Sequence, residues 1–188
     1  MLKKITIVFC LLVLLGTAAV AAPTKGKFVI TAPMLTAHGL FALAVDGYSF
    51  GDNGGVTFLG TSQVGHEEAV YASYGAPWSL GYLITDNLEL GLNVFWYNPM
   101  EDGRDSVLNL GIYAAYYLKM DKLMPFIKAG LTKINITDDT DNITMINTSI
   151  GVAFALSQTV APYLSLDFKT LVDDGTYVDL TLGLKFMF

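Results

Sequence analysis

The chain has 188 residues, 53% of them hydrophobic, with a formal net charge of −6. After the first twenty residues no apolar run reaches the roughly 20 residues of a membrane-spanning helix, which excludes a helical membrane protein and leaves the apolar content dispersed. The acidic balance argues against nucleic acid as a partner, because phosphates require a basic footprint, and the single cysteine, Cys10, leaves no disulfide framework.

Residues 1–21 read as a secretory signal peptide. Lys3 and Lys4 make a basic start, Ile5 to Leu15 an apolar core, and Ala19-Val20-Ala21 a small-residue cleavage site, giving a mature start near Ala22. Cys10 lies inside that apolar core and not beside the cleavage point, which argues against a lipid-anchored lipoprotein. Without Lys3 and Lys4, nine basic residues stand against 17 acidic ones. An exported chain with no remaining cysteine is held by its core or by closure of a sheet.

Residues 22–34 are the hardest to read. Phe28 to Thr31 is strand-like but Pro33 interrupts it, so the stretch is either a lead-in or the early part of a first strand, and the barrel proper is placed at 35–188. From Leu35 the chain alternates with a period of two, which is the signature of strands. The first strand puts Leu35, Ala37, Phe41 and Leu43 on one face and Thr36, His38, Ala42 and Ala44 on the other. Residues 49–67 are glycine-rich and polar and read as a loop, with Val56 to Leu59 extending the strands. A second strand spans Glu68 to Ile84, and Thr85-Asp86-Asn87 turns tightly into a third, Leu88 to Tyr97. The fourth is Ser106 to Leu118 and the fifth Pro125 to Ile136, whose phase blurs at Lys133 and Ile134 in the manner of a bulge. Ile143 to Leu156 and Val160 to Leu171 are the sixth and seventh. The last strand, Val178 to Phe188, aligns Val178, Leu180, Leu182, Leu184, Phe186 and Phe188 on one face, with Asp179, Thr181, Gly183, Lys185 and Met187 opposite.

These strands number eight, and the connections between them are long and short by turns. A barrel threaded through a membrane predicts that sorting, with brief turns on one side and longer loops on the other. The rows opposite the apolar stripes are rich in Gly, Ala and Ser, as the narrow interior of an eight-stranded barrel requires. In hydrocarbon an open sheet edge is prohibitive, so the last strand must pair with the first. The fold class predicted is all-β, an eight-stranded antiparallel up-and-down transmembrane β-barrel.

The stretch Pro77 to Leu92, P-W-S-L-G-Y-L-I-T-D-N-L-E-L-G-L, together with Tyr116-Tyr117, Pro125-Phe126 and the aromatic carboxy-terminus, resembles the small outer-membrane barrels of Gram-negative bacteria of the OmpX and OmpA-barrel type. The likeness covers about Leu35 to Phe188. It implies a location in the bacterial outer membrane, a carboxy-terminal assembly signal in Leu180, Leu182, Leu184, Phe186 and Phe188, and structural, adhesive or surface-defence roles; a few related barrels act on lipid A.

The barrel-interior polar residues predicted are Glu89, Lys128, Asp167, Lys169, Asp179 and Lys185. Counted from the turns, Glu89 and Lys128 straddle the small Ala115 within reach of each other, and Lys169 meets Asp179 across the last hairpin. Such an interior is salt-bridged and plugged. The aromatic girdle is assigned to Trp96 and Tyr97 on the loop side and to Tyr82, Tyr116 and Phe188 on the turn side. Only His38 and His66 are available as catalytic bases, no serine is selected by spacing, and the Asp138, Asp139, Asp141 run lacks a calcium-loop pattern, so no catalytic residue, cofactor or metal is assigned. The partners expected are outer-membrane lipid and lipopolysaccharide and the export and barrel-assembly machinery, with the chain a monomer. Three functions follow: a non-enzymatic structural or interaction barrel, a narrow porin-like channel, and, behind both, a lipid A-modifying enzyme. A closed barrel resists unfolding in detergent, so unboiled protein from outer-membrane fractions is expected to migrate differently on SDS gels from boiled protein; identical migration would contradict closure.

Overall fold

The computed structural model describes residues 23–44, 47–49, 55–58, 61–63, 78–97, 107–120, 122–136, 143–171 and 175–188; the signal-peptide assignment falls on residues outside this set. The strands are β1 (Phe28–Ala44), β2 (Gly47–Ser49), β3 (Gly55–Phe58), β4 (Thr61–Gln63), β5 (Trp78–Leu83), β6 (Leu88–Tyr97), β7 (Val107–Tyr117), β8 (Leu123–Ile136), β9 (Ile143–Phe154), β10 (Val160–Leu171) and β11 (Gly175–Met187). β5 through β11 pair each with the next, β1 pairs with β5, and β11 pairs back onto β1, all antiparallel. The result is a closed eight-stranded antiparallel barrel. The short strands β2 and β3 pair with the upper part of β1, and β4 with β3, so the glycine-rich segment carries more ladder than a polar loop would.

Closure is completed at the rim. The Phe28 N–H donates to the Phe188 carbonyl at 3.1 Å, and the Phe188 N–H donates to the Phe28 carbonyl at 3.0 Å. Both described termini therefore lie at the same end as the tight connections 84–87, 118–122 and 155–159, called here the turn end. Hydroxyls shape two of these turns. Thr85 Oγ1 accepts from the Asn87 and Leu88 N–H groups at 3.2 and 2.9 Å, and Ser157 Oγ accepts from the Val160 N–H at 3.0 Å. The Asn87 side chain then donates to the Tyr117 carbonyl at 2.7 Å and ties its turn to β7.

Two details of the strands differ from the sequence reading. The first strand begins at Phe28 and runs through Pro33, so of the two readings of residues 22–34 the early part of a first strand holds, and the barrel starts ahead of residue 35. A register shift between Pro33 and Leu35 lies beside the residue that cannot donate to the ladder, and a second falls between Ala37 and Phe41. The bulge expected near Lys133 is absent: β8 keeps unbroken register with β7 from Phe126 to Ile136 and with β9 from Leu123 to Ile134, and the blurred phase is an outward-facing lysine on a regular strand. The second strand, read from Glu68, is described only over Trp78–Leu83.

Among the described residues burial alternates along most of the barrel wall, with the apolar row outside, and breaks in β1, where Thr31, Ala32 and Pro33 are all buried. Ile112 and Ile127 are 62% and 58% exposed, and Leu92, Leu131, Ile150 and Leu182 stand out in the same way. Such a wall is stable only against hydrocarbon. Inside, three large aromatics lie over glycines directly across a rung: Tyr113 opposite Gly91, Phe126 opposite Gly151, and Tyr163 opposite Gly183. A Cβ added at any of the three glycines would stand 2.5 Å from the facing ring, so the missing side chain is what admits the aromatic to a narrow lumen. Ile112→Arg, near mid-wall, is expected to lower folding stability in phospholipid vesicles by about 2–4 kcal/mol, read from denaturant midpoints of reversible refolding. An effect near zero would mean that this face does not meet lipid.

Candidate functional site

The interior is the candidate site, and it is layered. At the turn end Val29, Leu83, Met124, Ala153, Ala155, Ala161 and Met187 form a buried apolar floor. They come from the strand ends beside the tight turns, where the inward rows are apolar.

Above the floor lies Glu89, fully buried, with its two carboxylate oxygens accepting from the Tyr113 and Tyr117 hydroxyls. The Lys185 ammonium donates to the Tyr117 hydroxyl oxygen at 3.0 Å and to Thr31 Oγ1 at 3.2 Å. It also sits 4.9 Å from the Phe126 ring centre and 5.4 Å from those of Tyr117 and Tyr163, so aromatic faces replace part of its hydration. Phe126 and Tyr163 meet edge to face at 6.2 Å and fill the middle of the lumen.

One layer further, Lys128 donates to Ser79 Oγ at 3.1 Å and to Asn93 Oδ1 at 3.0 Å, while lying 4.0 Å from the Tyr113 ring centre. Ser79 donates its own proton to Asn93 Oδ1 at 2.8 Å, so it points away from the lysine and is not set up as a nucleophile. Asp167 accepts from Thr181 Oγ1 at 2.6 Å and from Ser165 Oγ at 3.3 Å. Asp167 and Asp179 are register partners on one rung. Lys169, one inward position along β10, donates to Asp179 and forms a buried ion pair with it. Asn147 Nδ2 donates to Thr132 Oγ1 at 2.7 Å. The space left among Ser79, Asn93, Lys128, Asp167 and Lys185 is a cavity of about 50 Å³, room for a few water molecules.

All six residues assigned to the interior thus lie on inward rows. Their partners differ in part from the sequence reading. Register places Glu89 opposite Ala115 and Ala115 opposite Lys128, but Glu89 is taken by two tyrosines and Lys128 by neutral oxygens, so the expected carboxylate–ammonium contact between them is replaced. The physical reason is proximity: Tyr113 and Tyr117 flank Ala115 on the same inward row and reach the carboxylate first. That signal was present in the register of β6 and β7. The ring cage around Lys185 had no sequence signal, because Phe126, Tyr163 and Lys185 come from three strands.

On the outside, Tyr82, Tyr116 and Phe188 are exposed at the turn end, and Phe28 adds a ring 5.1 Å from Tyr82. Trp96 and Tyr97 close β6, but their side chains lie outside the described part, as do the His38 side chain, His66 and the Asp138, Asp139, Asp141 run. Of the carboxy-terminal row, Leu180, Leu182 and Phe188 are exposed and Leu184 and Phe186 half-exposed, on the outer face.

No protein-family model matches the chain, and no curated relative does. Solved structures do. The N-terminal β-barrel domain of Pseudomonas aeruginosa OprF is 19% identical, with 87% of this chain and 98% of that one covered and a TM-score of 0.56. Neisserial surface protein A (NspA) is 15% identical, covering 87% and 100%, with a TM-score of 0.55. The outer membrane protein OprG of Pseudomonas aeruginosa is 10% identical, covering 90% and 99%, with a TM-score of 0.53. At these identities the likeness is one of fold: the chain is built as an outer-membrane-type eight-stranded barrel.

Asp179→Asn leaves Lys169 buried without its ion-pair partner and is expected to cost about 3–5 kcal/mol. The double variant Lys169→Met, Asp179→Asn should recover much of that loss in the same unfolding assay. Equal losses for the single and double variants would show that the pair is not coupled.

Proposed function

We propose that this chain is a non-enzymatic β-barrel protein of the bacterial outer membrane, with a plugged lumen and loop-end segments that serve structural or interaction roles at the cell surface. Its turn end and termini face the periplasm. Its partners are the surrounding outer-membrane lipid and lipopolysaccharide and, before insertion, the export and barrel-assembly machinery; it works as a monomer.

The observation that carries this reading is the filling of the lumen. An apolar floor crosses the turn end, and above it the polar groups bond to one another and to aromatic rings. A hydrated ion crossing that floor would shed its water against methyl and thioether groups, a large desolvation cost. The outward apolar wall supports the membrane location.

In planar bilayers the wild-type protein is expected to show no stable conductance. A steady open level that Glu89→Ala leaves unchanged would overturn the plug and favour a narrow porin-like channel. Mass spectrometry of lipid A from a deletion strain should match the parent; an altered profile would overturn the non-enzymatic assignment.

A further inference from the structure

The outward row of the barrel is almost wholly uncharged. Among the described strand residues, Lys133 is the one charged side chain on that row; Glu89, Lys128, Asp167, Lys169, Asp179 and Lys185 all face inward. Lys133 is exposed and makes no hydrogen bond or ion pair with the described residues. Its rung reads Val94, Leu110, Lys133, Thr144, with Leu110 and Leu131 exposed beside it.

Its height explains how it is tolerated. Lys133 lies ten residues along β8 from Leu123 at the turn end. At about 3.3 Å per residue and a tilt of about 40°, that is about 25 Å up the wall, the height of the apolar band. It stands two rungs below the Trp96–Leu108–Asn135 rung. A lysine at this level extends its methylenes along the wall and delivers the ammonium to the headgroup boundary. The headgroup group that an unpartnered ammonium holds best is a phosphate. Thr144, across the ladder and also exposed, adds a hydroxyl donor at the same height.

The other exposed lysines, Lys25, Lys119 and Lys122, are at the turn end, and Lys119 has Asp86 at 3.9 Å. They meet the opposite leaflet.

We infer that Lys133, with Thr144 beside it, is an outer-wall contact for a phosphate of the phosphorylated glycolipid that fills the outer leaflet. This rests on the outer-membrane placement proposed above and names the lipid group recognised there.

The test uses the full mature chain refolded in a neutral detergent and titrated by native mass spectrometry with bisphosphorylated lipid A, and in parallel with phosphatidylglycerol. The wild type is expected to retain lipid A about fivefold more strongly than Lys133→Met, the effect of one basic residue at an anionic surface. Lys133→Arg should keep the binding, and Lys119→Met should leave it unchanged. Equal retention by Lys133→Met overturns the inference, as does phosphatidylglycerol bound as tightly with the same dependence on Lys133. Each variant is first checked for its heat-dependent shift on SDS gels. A folded barrel with no Lys133 effect defeats this contact alone, whereas a chain that forms no barrel defeats the membrane reading itself.

Discussion

The eight-strand ladder of this molecule closes on itself, and the rest of the structure depends on that. A barrel wall in hydrocarbon has no water to satisfy a stray N–H or C=O, and each such group costs several kcal/mol, so the eight-strand ladder must close or the fold fails. The reciprocal bonds between Phe28 and Phe188 are where it closes. They also explain why β1 has to start at Phe28. A first strand beginning at Leu35 would leave the β1-facing edge of β11 unpaired against lipid from Gly183 to Met187. Pro33 is accommodated at a register shift because the alternative, an open edge, is worse.

Closure fixes the lumen's width, and the lumen's width fixes what the inward rows can be. Glycine and alanine make room, and tyrosine and phenylalanine take it from the neighbouring strand. Once those rings are in place, the remaining inward charges have little choice of partner. Glu89 finds two phenols, Lys185 finds three ring faces, and Lys169 finds Asp179. Buried ions are a weak source of net stability, but here each is met by donors, acceptors or ring faces matched to it. The plug follows from packing a narrow barrel with rings and then satisfying the charges among them.

Much of the wall was legible in the sequence because the signal has a strict period. Along β11 the alternation runs without a miss, and one residue of slip would turn Lys185 and Asp179 into the lipid. The rows of β6, β7, β9 and β10 were readable for the same reason. What was not legible is instructive. The start of β1 was hidden by Pro33, whose meaning depends on a bulge that only pairing with β11 reveals. Lys133 looked like a break in phase because a lysine on the lipid side violates the local rule, yet its height on the wall makes it acceptable. The partners of Glu89 followed from register and two tyrosines, whereas the cage around Lys185 joins residues that only three-dimensional closure brings together.

The pairing of rings with glycines inverts the usual geography of tolerance. In a water-soluble domain the centre demands bulk and the surface forgives almost any polar choice. Here Gly91, Gly151 and Gly183 are closed even to a methyl group, because a ring already occupies the place it would take. Their outward neighbours need only be greasy, and leucine, isoleucine and valine are there interchangeable. Neutral drift in such a chain would therefore repaint the exterior freely while leaving a fixed lattice of absent side chains and aromatic rings at its axis.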